Sequence, residues 1–255
     1  MESLDTLTYS YGRQKLAVTS ESLDSSERIL TIERSAISNT FFAGRYPTGF
    51  SARFGEGPWL ATLSYLQGFD DRAMDNSTPG SAWFASLDYT VSENWKLRGD
   101  AFLNNFGITT RTEIPFEKAA SLNAIYDREP FGFLATLAYG DNGNAPGGRG
   151  GSFGGIVLMP WFWIVQEKTQ AVLQYGLLLS DQSSAIRANS HYFSTVPGAV
   201  NSGRGDKLHT IYAGLNHYIC GNSLKLMGGV EYARLHTPIG TADAITAIFA
   251  ARLSF

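Results

Sequence analysis

Along most of the chain, apolar and polar positions alternate with a period of two. This is the spacing of a strand whose successive side chains point to opposite faces. Residues 243–255 show it plainly. Ile245, Ala247, Phe249, Ala251, Leu253 and Phe255 share one parity, and Thr246, Ile248, Ala250, Arg252 and Ser254 share the other. In a soluble sheet the apolar face would turn towards a core. In a membrane barrel it meets lipid, the polar face lines a wet lumen, and a terminal aromatic sits at the interface.

The same rhythm recurs upstream. Trp83, Ala85, Leu87, Tyr89 and Val91 alternate with Phe84, Ser86, Asp88 and Thr90. After a turn at 92–94, Trp95, Leu97, Gly99, Ala101 and Leu103 alternate with Lys96, Arg98, Asp100, Phe102 and Asn104. Charges fall on one parity only, over about ten residues, the length a tilted strand needs to cross a bilayer. Short connections are expected at 56–59, 92–94, 127–130, 160–168 and 220–222. They interleave with longer ones at 69–80, 107–115, 141–151, 181–206 and 236–242. Such sorting, turns at one end and loops at the other, predicts an all-β antiparallel transmembrane barrel with about twelve strands. The apolar turn PWFWIV, residues 160–165, supplies aromatic side chains that read as interfacial anchors.

Two stretches depart from the rhythm. At the front, Leu7, Tyr9 and Tyr11 alternate with Thr8, Ser10 and Gly12, but Arg13 and Lys15 then fall on the apolar parity. Either Gly12 marks a bulge or the strand has already left the membrane. Residues 20–47 are polar and long, carrying Arg28, Arg34 and Arg45 against Glu21, Asp24, Glu27 and Glu33. Structureless loops of that length are usually functional. The segment reads either as a loop folded into a channel or as a solvated outer loop with internally paired charges.

Composition narrows the classes. The chain has 255 residues, 44% of them apolar. It contains no uncharged apolar run of ~18 residues that would cross a bilayer as a helix. Twenty-seven Gly, 12 Tyr, 16 Phe and 5 Trp fit an aromatic-rich β protein. A net charge of -3 gives no support to nucleic-acid binding. The single cysteine, Cys220, excludes an internal disulfide, and the four scattered histidines form no metal-ligand spacing. No cofactor motif is present: the Gly-rich run at 141–151 lies between strands rather than before a helix. The opening MESLDTLTYSYG lacks the basic start and apolar core of a signal peptide.

On strand parity, Arg53, Lys96, Arg98, Lys225 and Arg252 face inward, against Asp88, Asp100 and Glu231. Arginine suits oxyanions because its planar fork bonds them bidentately. The plainer alternative is that mixed wall charges pair with one another and merely solvate a pore. An esterase or phospholipase on a barrel would need a Ser-His pair with an orienting Asn. His209, Asn216 and His217 share a strand and His191 precedes Ser194, but no nucleophile motif surrounds them, so no catalytic residue is assigned.

Three stretches resemble the phosphate-selective porin O and P family. These are residues 11–42 (YGRQKLAVTSESLDSSERILTIERSAISNTFF), the hairpin at 211–235 (IYAGLNHYICGNSLKLMGGVEYARL) and the terminal strand. The hairpins between them match mainly in pattern. The resemblance implies a sixteen-stranded outer-membrane barrel, usually a homotrimer, that passes small anions such as phosphate or polyphosphate. The family's third loop, after its fifth strand, folds into the pore and supplies basic residues to a constriction. Residues 20–46 resemble that loop, which makes Arg34, Arg28 and Arg45 its implied anion-binding residues. Eleven strands are expected after Pro47, matching the family's count after that loop. On this reading the chain is the C-terminal three-quarters of such a barrel, without its signal peptide and first four strands. Implied partners are outer-membrane lipid and lipopolysaccharide, and the barrel-assembly machinery through Phe255. A truncated barrel that does not conduct, or a barrel enzyme, are the alternatives.

Overall fold

The computed structural model describes residues 6–41, 46–68, 80–105, 116–145, 147–188, 193 and 201–254. In chain order the strands are β1 (Thr6–Arg13), β2 (Thr48–Glu56), β3 (Trp59–Gly68), β4 (Ala82–Thr90), β5 (Trp95–Asn104), β6 (Lys118–Arg128) and β7 (Phe131–Asp141). There follow β8 (Ser152–Val165), β9 (Thr169–Ser180), β10 (Ile186–Arg187), β11 (Arg204–Gly205), β12 (Lys207–Cys220), β13 (Leu224–Thr237) and β14 (Gly240–Leu253). Two short helices, α1 (Ser20–Leu23) and α2 (Ala36–Phe41), lie between β1 and β2.

Twelve strands form one antiparallel sheet in the order β1 to β9, then β12, β13 and β14, and β10 pairs with β11 as a separate small hairpin. The sheet is a meander, so each strand's partner is its neighbour in the chain. Among the described residues β1 pairs only with β2 and β14 only with β13, leaving the sheet unclosed.

Burial runs opposite to that of a soluble sheet. On β6, Leu122 is 65% exposed while its neighbours Ser121 and Asn123 are 4% and 3% exposed. On β14, Ile245, Phe249 and Leu253 are 76%, 83% and 63% exposed. Hydrophobic residues usually lead the list of buried types. A continuous outward belt of Leu, Ile, Phe and Trp around a polar inner face is the arrangement of a barrel wall that meets lipid.

The inner face is covered by the chain's own residues 14–41. Near the long-loop end the wall is apolar and receives α2. Phe41 meets Phe116 at 5.4 Å and Phe153 at 5.3 Å between ring centroids, and Phe102 packs on Phe116 at 5.2 Å. Ile37 and Leu178, Leu208 and Leu235 from the wall complete this core. Apart from a second apolar cluster of Leu134, Met159, Trp161 and Val172 against which Leu30 packs, the rest of the inner face is polar, and there the segment is held by hydrogen bonds.

Two local expectations are corrected, and at the front one of two alternatives is decided. The PWFWIV stretch is not a turn, because β8 runs through it to Val165 and only 166–168 connect to β9. Its strand parity turns Trp161 inward, onto Leu134, Met159 and Val172, and Trp163 stacks on the buried Tyr218 at 5.2 Å. Phe162, Ile164 and Val165 are its exposed side chains. The connection expected at 236–242 shrinks to a tight turn, since β13 and β14 pair as far as Thr237 with Gly240. There Thr237 Oγ1 donates to Gly240 O at 2.8 Å. At the front, β1 pairs with β2 without a bulge and ends at Arg13, so the chain leaves the sheet before Lys15. Arg45 and Phe255 lie outside the described residues, as do 69–79 and 106–115.

Candidate functional site

The inner face and the segment laid on it form the candidate site. The segment starts where Thr19 caps α1, its hydroxyl accepting from Ser22 N at 3.3 Å. At the other end of that short helix, two cations converge on its free carbonyls. Lys15 Nζ donates to Leu23 O at 3.0 Å and to Asp24 O at 2.9 Å. Arg34 donates from Nη2 to Asp24 O at 2.7 Å and from Nε to Glu21 O at 3.1 Å. Cations at a helix C-terminus complement its unsatisfied carbonyls. Burial pulls the Lys15 ammonium below its ordinary value, and the neighbouring Arg34 charge lowers it further. Burial likewise raises the Asp24 carboxyl, against the pull of Lys15, Arg28 and Arg34.

Glu21 turns into the interior. Its carboxylate accepts from Ser35 N at 2.8 Å, from the Ser35 hydroxyl, and from Gln174 Nε2 on β9 at 3.2 Å. A buried carboxylate persists only when such donors surround it. Here they tie the two halves of the segment to each other and to the wall.

The wall answers at several points. Ser20 N donates to Asn123 Oδ1 on β6 at 3.0 Å. Asn216 Nδ2 on β12 donates to Leu30 O at 2.8 Å, and Lys225 Nζ on β13 to Ile29 O at 2.7 Å. Arg252 on β14 donates to Ser26 O and, at 2.5 Å, to Ile32 O. Every one of these acceptors or donors belongs to the segment's backbone. Together with Gln174 on the Glu21 carboxylate, these bonds fix the path of the inserted chain mainly through its backbone.

Arg98 on β5 is committed differently. It reaches Asp100 at 2.6 Å and Asp88 on β4 at 3.0 Å. Asp100 also accepts from Ser121 at 2.9 Å and Asn123 at 3.2 Å. That network extends to Thr136, which donates to Asn123 Oδ1 at 2.8 Å. A paired, fully hydrogen-bonded charge of this kind holds the wall together.

All five basic residues placed inward by parity, Arg53, Lys96, Arg98, Lys225 and Arg252, stand on the inner face. Three of them are bonded to acids or to the segment. The remaining two, Arg53 and Lys96, make no ion pair among the described residues. With Lys15 and Arg98 they line a recess of 390 Å³ near the short-turn end, whose one lining carboxylate is Asp88. Of the arginines in the inserted segment, Arg34 is turned onto the segment's own carbonyls, while Arg28 is exposed at its surface.

Sequence reasoning did not single out Lys15, Glu21, Asn123, Gln174 or Asn216 as parts of this site. For the last three the signal was available. Each is an amide on the inward parity of its strand, beside further buried polar side chains, Ser121 on β6, Gln170 on β9 and Thr210 on β12. The partners of Lys15 and Glu21 lie within the segment or across the interior, and no periodicity announces them. The described histidines that could serve an esterase lie elsewhere: His209 Nδ1 meets Tyr175 Oη at 3.2 Å and His217 Nδ1 meets Thr169 Oγ1 at 3.1 Å.

No family model matches the chain, and no curated protein matches it in sequence. Among solved structures it is similar to the outer membrane channel DcaP of Acinetobacter baumannii. The TM-score is 0.60 at 13% sequence identity, over 98% of this chain and 71% of that one. The likeness establishes a fold like that of an outer-membrane porin, reached here by an antiparallel meander with an inserted, wall-bonded segment.

Proposed function

We propose that the chain forms an outer-membrane channel through which small anions diffuse passively. The observation that carries this reading is the recess between the inserted segment and strands β2 to β5, where Lys15, Arg53, Lys96 and Arg98 face a single carboxylate. Asp88 is already bonded to Arg98, so the positive charge of Arg53 and Lys96 is left for a solute. Weak contacts of this kind replace part of an anion's hydration shell without trapping it. The similar solved structure is itself named a channel.

Within this reading the inserted segment narrows the lumen. Arg34 and Lys15 hold its first turn, and Arg28 and Arg45 remain candidates for charges presented at the narrow point. The resemblance to the phosphate-selective porins supports phosphate or polyphosphate as the solute, and a trimer as the assembled form. Export to a bacterial outer membrane, with Phe255 read by the assembly machinery, belongs to the same proposal. A second reading, a wall that does not conduct, is favoured by one observation: β1 and β14 are not joined among the described residues.

Planar-bilayer conductance of the detergent-refolded chain, with the reversal potential read in a KCl gradient, separates the two. Discrete steps whose reversal potential lies towards that of chloride support the anion channel, and Arg53→Glu with Lys96→Glu should move it towards potassium. Steps with equal permeability to both ions, unchanged by that pair, reject the role of the recess. The second reading predicts no steps at all from protein that is β-rich by circular dichroism.

A further inference from the structure

A second basic cluster lies on the opposite face of the sheet. Lys207 and His209 on β12 and Arg234 and His236 on β13 share the outward parity of Ile211, Leu215, Leu226 and Val230. Register sets them in a square: Lys207 stands opposite His236, and His209 opposite Arg234. They surround a recess of 370 Å³ at the long-loop end of the strands. Towards the middle of the sheet, the same face turns at once to apolar side chains, with Ile211, Ile245 and Phe249 46%, 76% and 83% exposed.

Lys207 and Arg234 stand diagonally across this pair of strands, and their like charges repel. The acids nearby offset only part of this. Asp206 is bonded to His236 at 2.6 Å. Asp243 accepts from Tyr232 Oη at 2.5 Å and stands 3.7 Å from Arg234. Lys207 has no counter-ion among the described residues. Tyr175 and Tyr232 lie between this cluster and the apolar belt, bonded to His209 and Asp243. Tyrosines at that level mark the boundary between hydrocarbon and headgroups in a membrane wall.

We propose that this square binds the phosphate groups of a membrane lipid in the leaflet on the long-loop side. The proposal rests on the reading that the apolar outer face meets lipid. One residue pair along a strand spans ~7 Å. His209 and Lys207 therefore sit just above the hydrocarbon belt, at the depth of headgroup phosphates. Arg234 offers a bidentate fork to a phosphate and Lys207 a point charge beside it. Acyl chains descending from such a headgroup run down the Ile211, Val230 and Ile245 surface. A phosphate dissolved in water gains nothing from that apolar continuation, which is why a lipid is the favoured source.

The test uses the full chain in zwitterionic detergent, with diphosphoryl lipid A as probe and its dephosphorylated form as comparison, read by native mass spectrometry. Retention of the phosphorylated lipid and loss of the dephosphorylated one are expected. Lys207→Gln with Arg234→Gln should weaken binding more than tenfold, on the order of one charge-assisted bond per substitution. Lys168→Gln, in the turn at the other end of the strands, should leave it unchanged. Heat-dependent gel mobility shows whether each variant is folded, and single Lys207→Gln serves if the pair is not. Equal binding of the two lipids, or binding untouched in the folded variants, overturns the proposal, as does displacement of lipid A by low-millimolar inorganic phosphate. A chain that stays in solution without detergent would instead refute the membrane reading beneath it.

Discussion

Lys225 reaches across the interior from β13 and places its Nζ 2.7 Å from the carbonyl oxygen of Ile29. The side chain is fully buried, and its ammonium lies over the Tyr218 ring, 5.5 Å from Nζ to the ring centroid. With Asn216 on Leu30 O and Arg252 on Ile32 O, three strands grip three of the four carbonyls from Ile29 to Ile32 in one bend of the inserted segment. The bend is docked on the wall, and its docking rests on side chains almost two hundred residues away.

Lys225→Met should therefore loosen the segment while leaving the sheet intact. A hydrogen bond to a charged group is worth about 1.5–3 kcal/mol, and the abandoned carbonyl adds desolvation cost. Local opening costs less than global unfolding, so the loss appears first in the segment. Trypsin cleavage after the exposed Arg28 should accelerate roughly ten- to a hundredfold, by the same free energy. The heat needed to unfold the barrel should change little. Cleavage at the parent rate would show that the remaining contacts suffice without the lysine.

Asp88 and Asp100 both bind Arg98, yet the two carboxylates should respond differently. Asp88 lines the recess and is partly exposed, whereas Asp100 has no exposed side-chain surface. Asp88→Asn removes the recess's one lining carboxylate and leaves Arg98 paired. The reversal potential in a KCl gradient should move further towards chloride, with stability nearly unchanged. Asp100→Asn leaves a buried guanidinium half-satisfied and breaks the bonds to Ser121 and Asn123. Its cost is about 1.5–3 kcal/mol of stability, measured as a lower urea midpoint in micelles. A selectivity change as large as that of Asp88→Asn would mean that Asp100 faces the solute too.

The alternation on β5 and β14 was readable from residues alone because barrel strands have only two faces, and one of them meets lipid. Parity placed Arg98 and Lys225 inward for the same reason. What parity does not carry is what an inward side chain meets. Arg98 finds two carboxylates, one two residues away on its own strand. Lys225 finds a carbonyl 196 positions distant in sequence. Trp161 and Trp163 were misplaced because an aromatic run with Pro160 looks like an interfacial turn, while here a tryptophan fills the interior opposite a glycine. The turn after Thr237 was read too long because Thr241 and Asp243 are polar, although they lie outward on a paired strand. Arg34 carries the charge expected at a constriction, but its donors are turned onto Glu21 O and Asp24 O by a fold of the segment that no local pattern encodes.

Lys15 gives the recess a pH-dependent charge. Burial, then the nearby Arg34, holds its ammonium below the ordinary lysine value. In the folded chain it thus loses its proton over a window beneath ~10.4. Anion preference should fall as pH rises through that window, and Lys15→Arg should lessen the change. The sign for docking is opposite. A depressed lysine pKa means that the docked segment binds this proton less tightly than the free one. Docking is weakest below the lowered value and strengthens as pH rises from there to the ordinary value. Trypsin cleavage after Arg28, corrected for the enzyme's own pH profile, should slow across the same window. Cleavage that accelerates there would show that another group governs the segment.

Gly132 on β7 stands directly opposite Trp161 on β8, and the indole lies over it on the inner face. Any side chain at 132 would overlap ring atoms of Trp161. The ring cannot simply withdraw, because Trp161 packs on Leu134, Met159 and Val172 and is covered by Leu30 of the inserted segment. The glycine is thus required by close approach rather than by backbone conformation. Overpacking of this kind costs about 1–3 kcal/mol. Gly132→Ala should lower the temperature at which the folded band disappears on unheated gels, and should also weaken the segment's hold through Leu30. Trp161→Leu in the same chain should restore part of the loss by clearing the space, although alone it is destabilising through the cavity it leaves. Coupling between the two substitutions in a double-mutant cycle measures the contact directly. Simple additivity would mean that the indole can move aside at no cost, and that the glycine is not there to make room for it.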